Sequence, residues 1–110
     1  MENDFQALTA LVKAFVDERD WDQFHNPKDL ALALSIEASE LNEAFLWKNA
    51  EDAKPEKVRE ELADVIIYAL LIARKYGWDI PTIVKEKIAS NAAKYPVDKA
   101  KGNAKKYNEL

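Results

Sequence analysis

Apolar residues recur every three or four positions along four segments of the chain, and this spacing predicts amphipathic α-helices. Asn3 or Asp4 can cap the first helix, Gly77 can end the third, and Pro96 stops the fourth. The four helices are predicted at about residues 4–20, 30–47, 55–76 and 80–95. Because the connections are short and no segment has the alternating pattern of a strand, we predict an all-α fold with an antiparallel four-helix bundle-like protomer.

Acidic residues interrupt the apolar faces of the second and third predicted helices. Glu37 and Glu40 are three residues apart on the second helix, and Glu61 and Asp64 have the same spacing on the third. That spacing points both side chains of a pair in the same direction. Carboxylates on a burying face are costly unless cations meet them. Two such helices packed side by side would therefore gather four carboxylates around one point.

Carboxylate oxygens are hard ligands that select Mg²⁺, Mn²⁺ or Ca²⁺ rather than zinc. The spacing of a calcium-binding loop is absent, and no His accompanies the acidic pairs as in di-iron bundles. We therefore predict Mg²⁺, with Mn²⁺ as a substitute, and substrate phosphates as its further ligands. The alternative is a non-catalytic helical module in which cations such as Arg59 and Lys87 neutralise the acidic pairs.

The connection between the first two helices is rich in aromatic residues. It contains Trp21, Phe24 and the only His of the chain, His25, before Pro27. One interpretation is a loop that its aromatic rings attach to the core. The other is a stacking surface for a nucleobase beside the metal site.

Composition narrows the class of protein. The chain has 110 residues, of which 48% are hydrophobic and 33% charged, so we predict one globular domain over residues 1–110, with a basic, mobile tail from about residue 97. The net charge of −4 disfavours a nucleic acid polymer as partner. The absence of Cys excludes disulfides and thiolate chemistry. No membrane span or signal peptide is apparent, which leads us to expect a cytoplasmic protein without membrane partners.

The two acidic pairs resemble the signature of the MazG-like superfamily of all-α nucleotide pyrophosphohydrolases, a Glu-x-x-Glu helix followed by a Glu-x-x-Asp helix. The chain is most similar to the dCTP pyrophosphatase branch, and this similarity covers nearly the whole sequence. Besides the acidic pairs it includes residues 15–34, 45–48, 87–91, 94–97 and 106–110. The chain departs from the branch in two features: the linker 49–56 is short, and Val12 stands where a His is expected.

The resemblance implies roles for individual residues. Mg²⁺ would be bound by Glu37, Glu40, Glu61 and Asp64, and the nucleobase pocket would be bordered by Trp21, His25 and Trp47. Sugar and phosphates would be contacted by Tyr68, Lys87, Asn91 and Tyr95. The catalytic residues would be Glu40, Glu61 and Lys87, with Glu40 favoured as general base over Glu43 and Glu60, and with Lys87 stabilising the leaving group.

The implied reaction is hydrolysis of a deoxynucleoside triphosphate, dCTP or modified dCTP, to the monophosphate and pyrophosphate, which is a house-cleaning activity on the nucleotide pool. The alternatives are the same fold acting on dUTP or other dNTPs, and the non-catalytic module. Since the helices are apolar on several sides, we also expect self-association, into a dimer or a dimer of dimers. The resemblance implies a homotetramer built as a dimer of dimers, with pockets shared between chains.

Overall fold

The computed structural model describes residues 3–110 as helices joined by short turns, and this part of the chain contains no strand. The prediction of an all-α fold is therefore confirmed. The helices are α1 (Asp4–Glu18), α2 (Pro27–Glu43), α3 (Pro55–Tyr76), α4 (Ile80–Lys94) and α5 (Val97–Ala100). Short 3-10 turns occupy Asp22–Phe24, Ala50–Asp52 and Tyr107–Glu109.

The helix ends are fixed by capping residues that the sequence predicts. The Asn3 side chain accepts a hydrogen bond of 2.7 Å from the Gln6 N–H, and the Gln6 side chain accepts one of 2.8 Å from the Asn3 N–H. This capping box satisfies N–H groups that have no partner inside the helix. Gly77 ends α3 in the left-handed conformation, with φ of 72°, which costs glycine little.

The second helix ends earlier than predicted, at Glu43 instead of Trp47. Beyond it the backbone makes four-residue turns, in which the N–H of Leu46 donates to the carbonyl of Glu43 and that of Lys48 donates to the carbonyl of Phe45. Trp47 itself has φ of 60°. The apolar pattern continues through these residues, so periodicity alone could not locate the end of the helix.

The chain divides into two compact units, residues 1–78 and 79–110. In the first unit, α3 packs along α2 and against α1. Each of these helices contributes one residue to the core, namely Val16, Leu30 and Leu71, and Val12, Tyr68 and Ile72 pack around it. Because Leu30 lies near the start of α2 and Leu71 near the end of α3, these two helices run antiparallel.

The second unit contains α4, α5 and the last 3-10 turn. The Tyr107 ring meets the Tyr95 ring edge-on with centroids 6.3 Å apart, and Lys94 Nζ lies 5.0 Å from the Tyr107 ring centroid. The tail that the sequence predicts to be mobile thus contacts the end of α4, and its mobility stays a prediction. None of the helices between residues 3 and 110 combines the length and apolar character needed to cross a bilayer.

The connection between α1 and α2 is attached to α3 by Asp22. Its Oδ1 atom lies 2.9 Å from Lys75 Nζ and 3.1 Å from Arg74 Nη1. Hydrogen bonds from Lys75 and then Arg74 hold the pKa of Asp22 below its ordinary value of 3.8. The folded state therefore binds this proton less readily than the unfolded state does. The resulting stability is complete above pH 3.8 and is lost as the pH falls through the pKa of the folded state.

We therefore expect Asp22→Asn to lower the thermal midpoint at pH 7, because the amide loses charge-assisted bonds to both cations. The difference from wild type should narrow once the pH falls below 3.8, and it should disappear only below the pKa of folded Asp22, where the carboxyl is protonated in both states. Thermal unfolding of wild type and Asp22→Asn, at pH 7 and at a pH well below 3.8, measures this difference. A difference of equal size at both would show that the ion pairs do not stabilise the fold.

Candidate active site

Three carboxylates from two helices meet in the first unit. Glu37 extends from α2, and Glu61 and Asp64 extend from α3. Each offers an oxygen, and these oxygens all lie within 4.8 Å of one another. The packing of α2 along α3 makes this acidic cluster. The three-residue spacing within α3 places Glu61 and Asp64 on the same face.

Burial makes the acidic cluster unfavourable without a cation. Glu61 is only 4% exposed, and Glu37 and Asp64 are partly buried. The Oε2 atoms of Glu37 and Glu61 are buried and have no hydrogen-bond partner among residues 3–110. Orphaned carboxylate oxygens of this kind are costly, and a hard divalent cation with oxygen ligands would satisfy them. The residues present therefore fit a metal of the Mg²⁺ type.

Lys57 supplies part of the missing positive charge. Its Nζ atom lies 2.6 Å from Glu61 Oε1, one helical turn away on α3. This contact lowers the pKa of Glu61 against the opposing effect of burial, and it raises the pKa of Lys57. Arg59 and Lys87 are the neutralising cations expected from the sequence, and Lys57 is not among them, although its four-residue spacing from Glu61 is a usable signal.

Glu40, the fourth acidic residue predicted to bind the metal, lies against this cluster. Contacts with the Glu37 carboxylate, and then with that of Glu61, raise the pKa of Glu40 from 4.5 to about 7. Like charges this close disfavour a further ionised group. In the metal-free chain Glu40 therefore keeps its proton to higher pH than a free glutamate does, which lowers the negative charge of the cluster.

A cleft of about 230 Å³ adjoins the acidic cluster, and Glu37 and Asp64 form part of its wall. The Trp21 ring packs edge-on against Phe15, with centroids 5.8 Å apart. His25 has a buried Nδ1 atom without a hydrogen-bond partner in the described part of the chain. The full lining is Val12, Phe15, Val16, Trp21, His25, Glu37, Asp64, Ile67, Tyr68 and Leu71.

Tyr68 connects the core, the cleft and the acidic cluster. It packs against the core and lines the cleft. Burial, and then the charges of Glu37, Asp64 and Glu40, raise its pKa above the ordinary 10.0. The hydroxyl therefore stays protonated and can donate a hydrogen bond to a ligand.

The structure does not bring every predicted site residue to this cleft. Trp47 is 95% exposed and is not part of the cleft lining. The other three predicted ligand contacts, Lys87, Asn91 and Tyr95, belong to the unit of residues 79–110. Lys87 and Asn91 are exposed there, and Tyr95 is partly buried. Their roles stay predictions.

A second cavity, of about 380 Å³, is lined by Lys48, Lys54 and Lys57 together with Glu43 and Ala44. We call it the lysine cavity. The sequence indicates only a short linker over residues 49–56 and does not reveal this cavity, because Lys48 and Lys54 precede the helix that carries Lys57. Spacing along the chain gives no signal for residues that a turn brings together.

An acidic cluster that fits a divalent cation, set beside an aromatic cleft in an all-helical unit, defines a candidate metal-dependent enzyme for a ligand with a flat ring. The chain belongs to the MazG-like family, whose model matches residues 32–110. Metal dependence is typical of this family. The relatives and the solved structure described below place the chain among the nucleoside triphosphate diphosphatases.

Similar proteins agree with this family. The chain is 38% identical to dCTP pyrophosphatase 1 of Rattus norvegicus over 117 aligned residues, which cover 99% of this chain and 69% of the relative. It is 37% identical to dCTP pyrophosphatase 1 of Homo sapiens with the same coverage. The crystal structure of a pyrophosphatase from Archaeoglobus fulgidus superposes with a TM-score of 0.80 at 34% identity, covering 87% of this chain and 95% of that one.

Proposed function

We propose that this protein hydrolyses dCTP or a modified dCTP to the monophosphate and pyrophosphate in a Mg²⁺-dependent reaction, as a house-cleaning activity on the nucleotide pool. The observation that carries the proposal is that the acidic cluster and the aromatic cleft have two residues in common. Glu37 and Asp64 belong to the cluster and also line the cleft. A nucleotide combines a flat ring with phosphates that bind through a cation, so it fits both halves of the site.

Mg²⁺ would be held by Glu37, Glu61 and Asp64, with Glu40 beside them, and Mn²⁺ is the natural substitute. When bound, the ion supplies positive charge to the phosphoryl oxygens and lowers the pKa of the attacking water. The chain's own contribution is to hold these carboxylates together through the packing of α2 on α3. Lys57 fixes the orientation of the Glu61 side chain through its 2.6 Å ion pair.

Glu40 is the best-placed of the three acidic residues considered as general base. It contacts Glu37 and Glu61 at the edge of the cluster, whereas Glu43 lines the lysine cavity. A carboxylate oxygen of Glu40 would accept a proton from the water that attacks the α-phosphorus. Glu61, the other carboxylate predicted to be catalytic, would act beside Glu40 as a buried ligand of the metal.

The cleft would hold the base between aromatic side chains. Trp21 and Phe15 supply stacking area, the His25 ring offers a nitrogen, and the Tyr68 hydroxyl offers a donor. Val12 lies in the cleft wall, so the position where a His is expected from the dCTP pyrophosphatase branch would face a bound base. The relatives named dCTP pyrophosphatase 1 support a cytosine nucleotide.

Self-association is part of the proposal. Several large apolar side chains of the first unit are exposed, among them Leu11 at 68% and Ile36 at 59%. A homo-oligomer, in the form of a dimer of dimers, would bury such residues and could bring the exposed Trp47 and the residues Lys87, Asn91 and Tyr95 to a shared pocket. Light scattering tests the association.

The test of the proposed reaction is a panel of dNTPs, including dUTP and 5-modified dCTP, with identification of the products. We expect dCTP or a 5-modified dCTP to give the highest kcat/KM, with monophosphate and pyrophosphate as products and no turnover in excess chelator. Preference for dUTP or another base would keep the reaction and replace the substrate. If no nucleotide is hydrolysed, the non-catalytic helical module is the better account.

A further inference from the structure

The lysine cavity concentrates positive charge on a chain that is acidic overall. It gathers three ammonium groups and one carboxylate, while the whole chain has a net charge of −4. Lys48, Lys54 and Lys57 are all exposed. Lys57 is paired with Glu61, so the ammonium groups of Lys48 and Lys54 are the ones that can reach a ligand in the cavity. Lysines that converge on a concave surface against their mutual repulsion indicate a multiply charged anion as the ligand.

The start of α3 adds positive potential to the same place. Lys54 is the N-cap residue of α3 and Pro55 follows it, and no side chain caps this helix end. The N-terminus of a long helix carries a partial positive charge that favours phosphate groups. Here it reinforces the lysines, two of which lie within its first turn.

Lys57 joins the lysine cavity to the acidic cluster. It lines the cavity, and its Nζ atom is bonded to Glu61 Oε1 at 2.6 Å. A phosphate chain held at Glu61 through a cation would therefore have cationic side chains next to it.

We propose that the lysine cavity binds the β- and γ-phosphates of the substrate and then the pyrophosphate product. This inference rests on the proposed function, because it assigns a subsite to the same nucleotide. The site would then have three consecutive parts: the aromatic cleft for the base, the acidic cluster with its cation for the α-phosphate, and the lysine cavity for the remaining phosphates. Glu43 opposes the bound anion, which limits the affinity for the product.

The test is calorimetric titration of the full chain with inorganic pyrophosphate in excess Mg²⁺, compared with titration with dCMP. We expect Lys48→Gln and Lys54→Gln each to weaken pyrophosphate binding by about tenfold, the usual effect of losing one charge-assisted contact. Binding of dCMP should not change, because dCMP has no β- or γ-phosphate. Lys57 is left intact in this test, since its replacement would also disturb Glu61.

Two further variants sharpen the result. Glu43→Gln removes the repelling carboxylate and should tighten pyrophosphate binding several-fold. Lys28→Gln makes the same charge change on the exposed first turn of α2, outside the cavity lining, and should leave the affinity unchanged. Circular dichroism spectra identical to wild type confirm that each variant is folded.

The assignment is overturned if wild type does not bind pyrophosphate, or if Lys48→Gln and Lys54→Gln both bind it like wild type. It is overturned as well if the two substitutions weaken dCMP binding as much as pyrophosphate binding. It is also overturned if Lys87→Gln alone abolishes pyrophosphate binding. Failure of the proposed function has a separate signature: the dNTP panel shows no turnover, whatever the pyrophosphate titration gives.

Discussion

Replacing Asp64 by asparagine is expected to lower kcat with dCTP by about a thousandfold. Asp64 contributes one of the three oxygens that lie within 4.8 Å of one another, and it also lines the cleft. An asparagine has almost the same shape but no charge, so it holds a divalent cation poorly. Steady-state pyrophosphate release in saturating Mg²⁺ measures the loss.

The same substitution should not damage the fold. Asp64 is partly buried among like charges, and removing one of them relieves repulsion in the metal-free chain. We therefore expect the thermal midpoint of Asp64→Asn without metal to equal or exceed that of wild type. Asp17→Asn is the matched control, since Asp17 is exposed and pairs only with Lys13 in the described structure. An unfolded Asp64→Asn chain would favour a purely structural role for the acidic residues.

Leu30→Ala is expected to have the largest effect on stability. Leu30 is 1% exposed and packs with Val16 and Leu71 in the core that joins α1, α2 and α3. Removing a buried leucine side chain leaves a cavity and costs about 3–5 kcal/mol. Because the net stability of a domain is roughly 5–15 kcal/mol, this loss is a large fraction of it. The midpoint of urea unfolding, compared at constant slope, gives the value.

Leu11→Ala is the control for this measurement. Leu11 lies on α1 and is 68% exposed, so the same deletion should cost under about 1 kcal/mol. Both variants are measured at two protein concentrations, because self-association would make the apparent stability depend on concentration. Equal losses for the two variants at low concentration would show that the core does not lie where the structure puts it.

Local signals predicted the helices well where the chain carries its own end markers. The capping box at Asn3, Pro55 at the start of α3 and Gly77 at its end all act within a few residues, so their effect can be deduced from sequence. The end of α2 has no such marker, and its apolar pattern continues to Trp47. The predicted helix was therefore four residues too long at this end.

The acidic cluster was predictable because it depends only on helical spacing and on the packing of α2 against α3. Glu37, Glu61 and Asp64 meet as soon as α2 packs along α3 with the apolar faces together. The lysine cavity was not predictable, because its residues come from a turn, an N-cap and a helix. Turn geometry depends on contacts between distant residues, which periodicity does not describe. The roles expected for Lys87, Asn91 and Tyr95 came from resemblance and stay predictions.

Direct metal binding is the best test of whether the acidic cluster holds the catalytic cation. Titration of the nucleotide-free chain with Mn²⁺, followed by electron paramagnetic resonance, reports the ion independently of turnover. We expect wild type to bind Mn²⁺ in competition with Mg²⁺, and Asp64→Asn to bind it at least about tenfold more weakly. Equal affinity in the two chains, or no binding to wild type, would contradict the account.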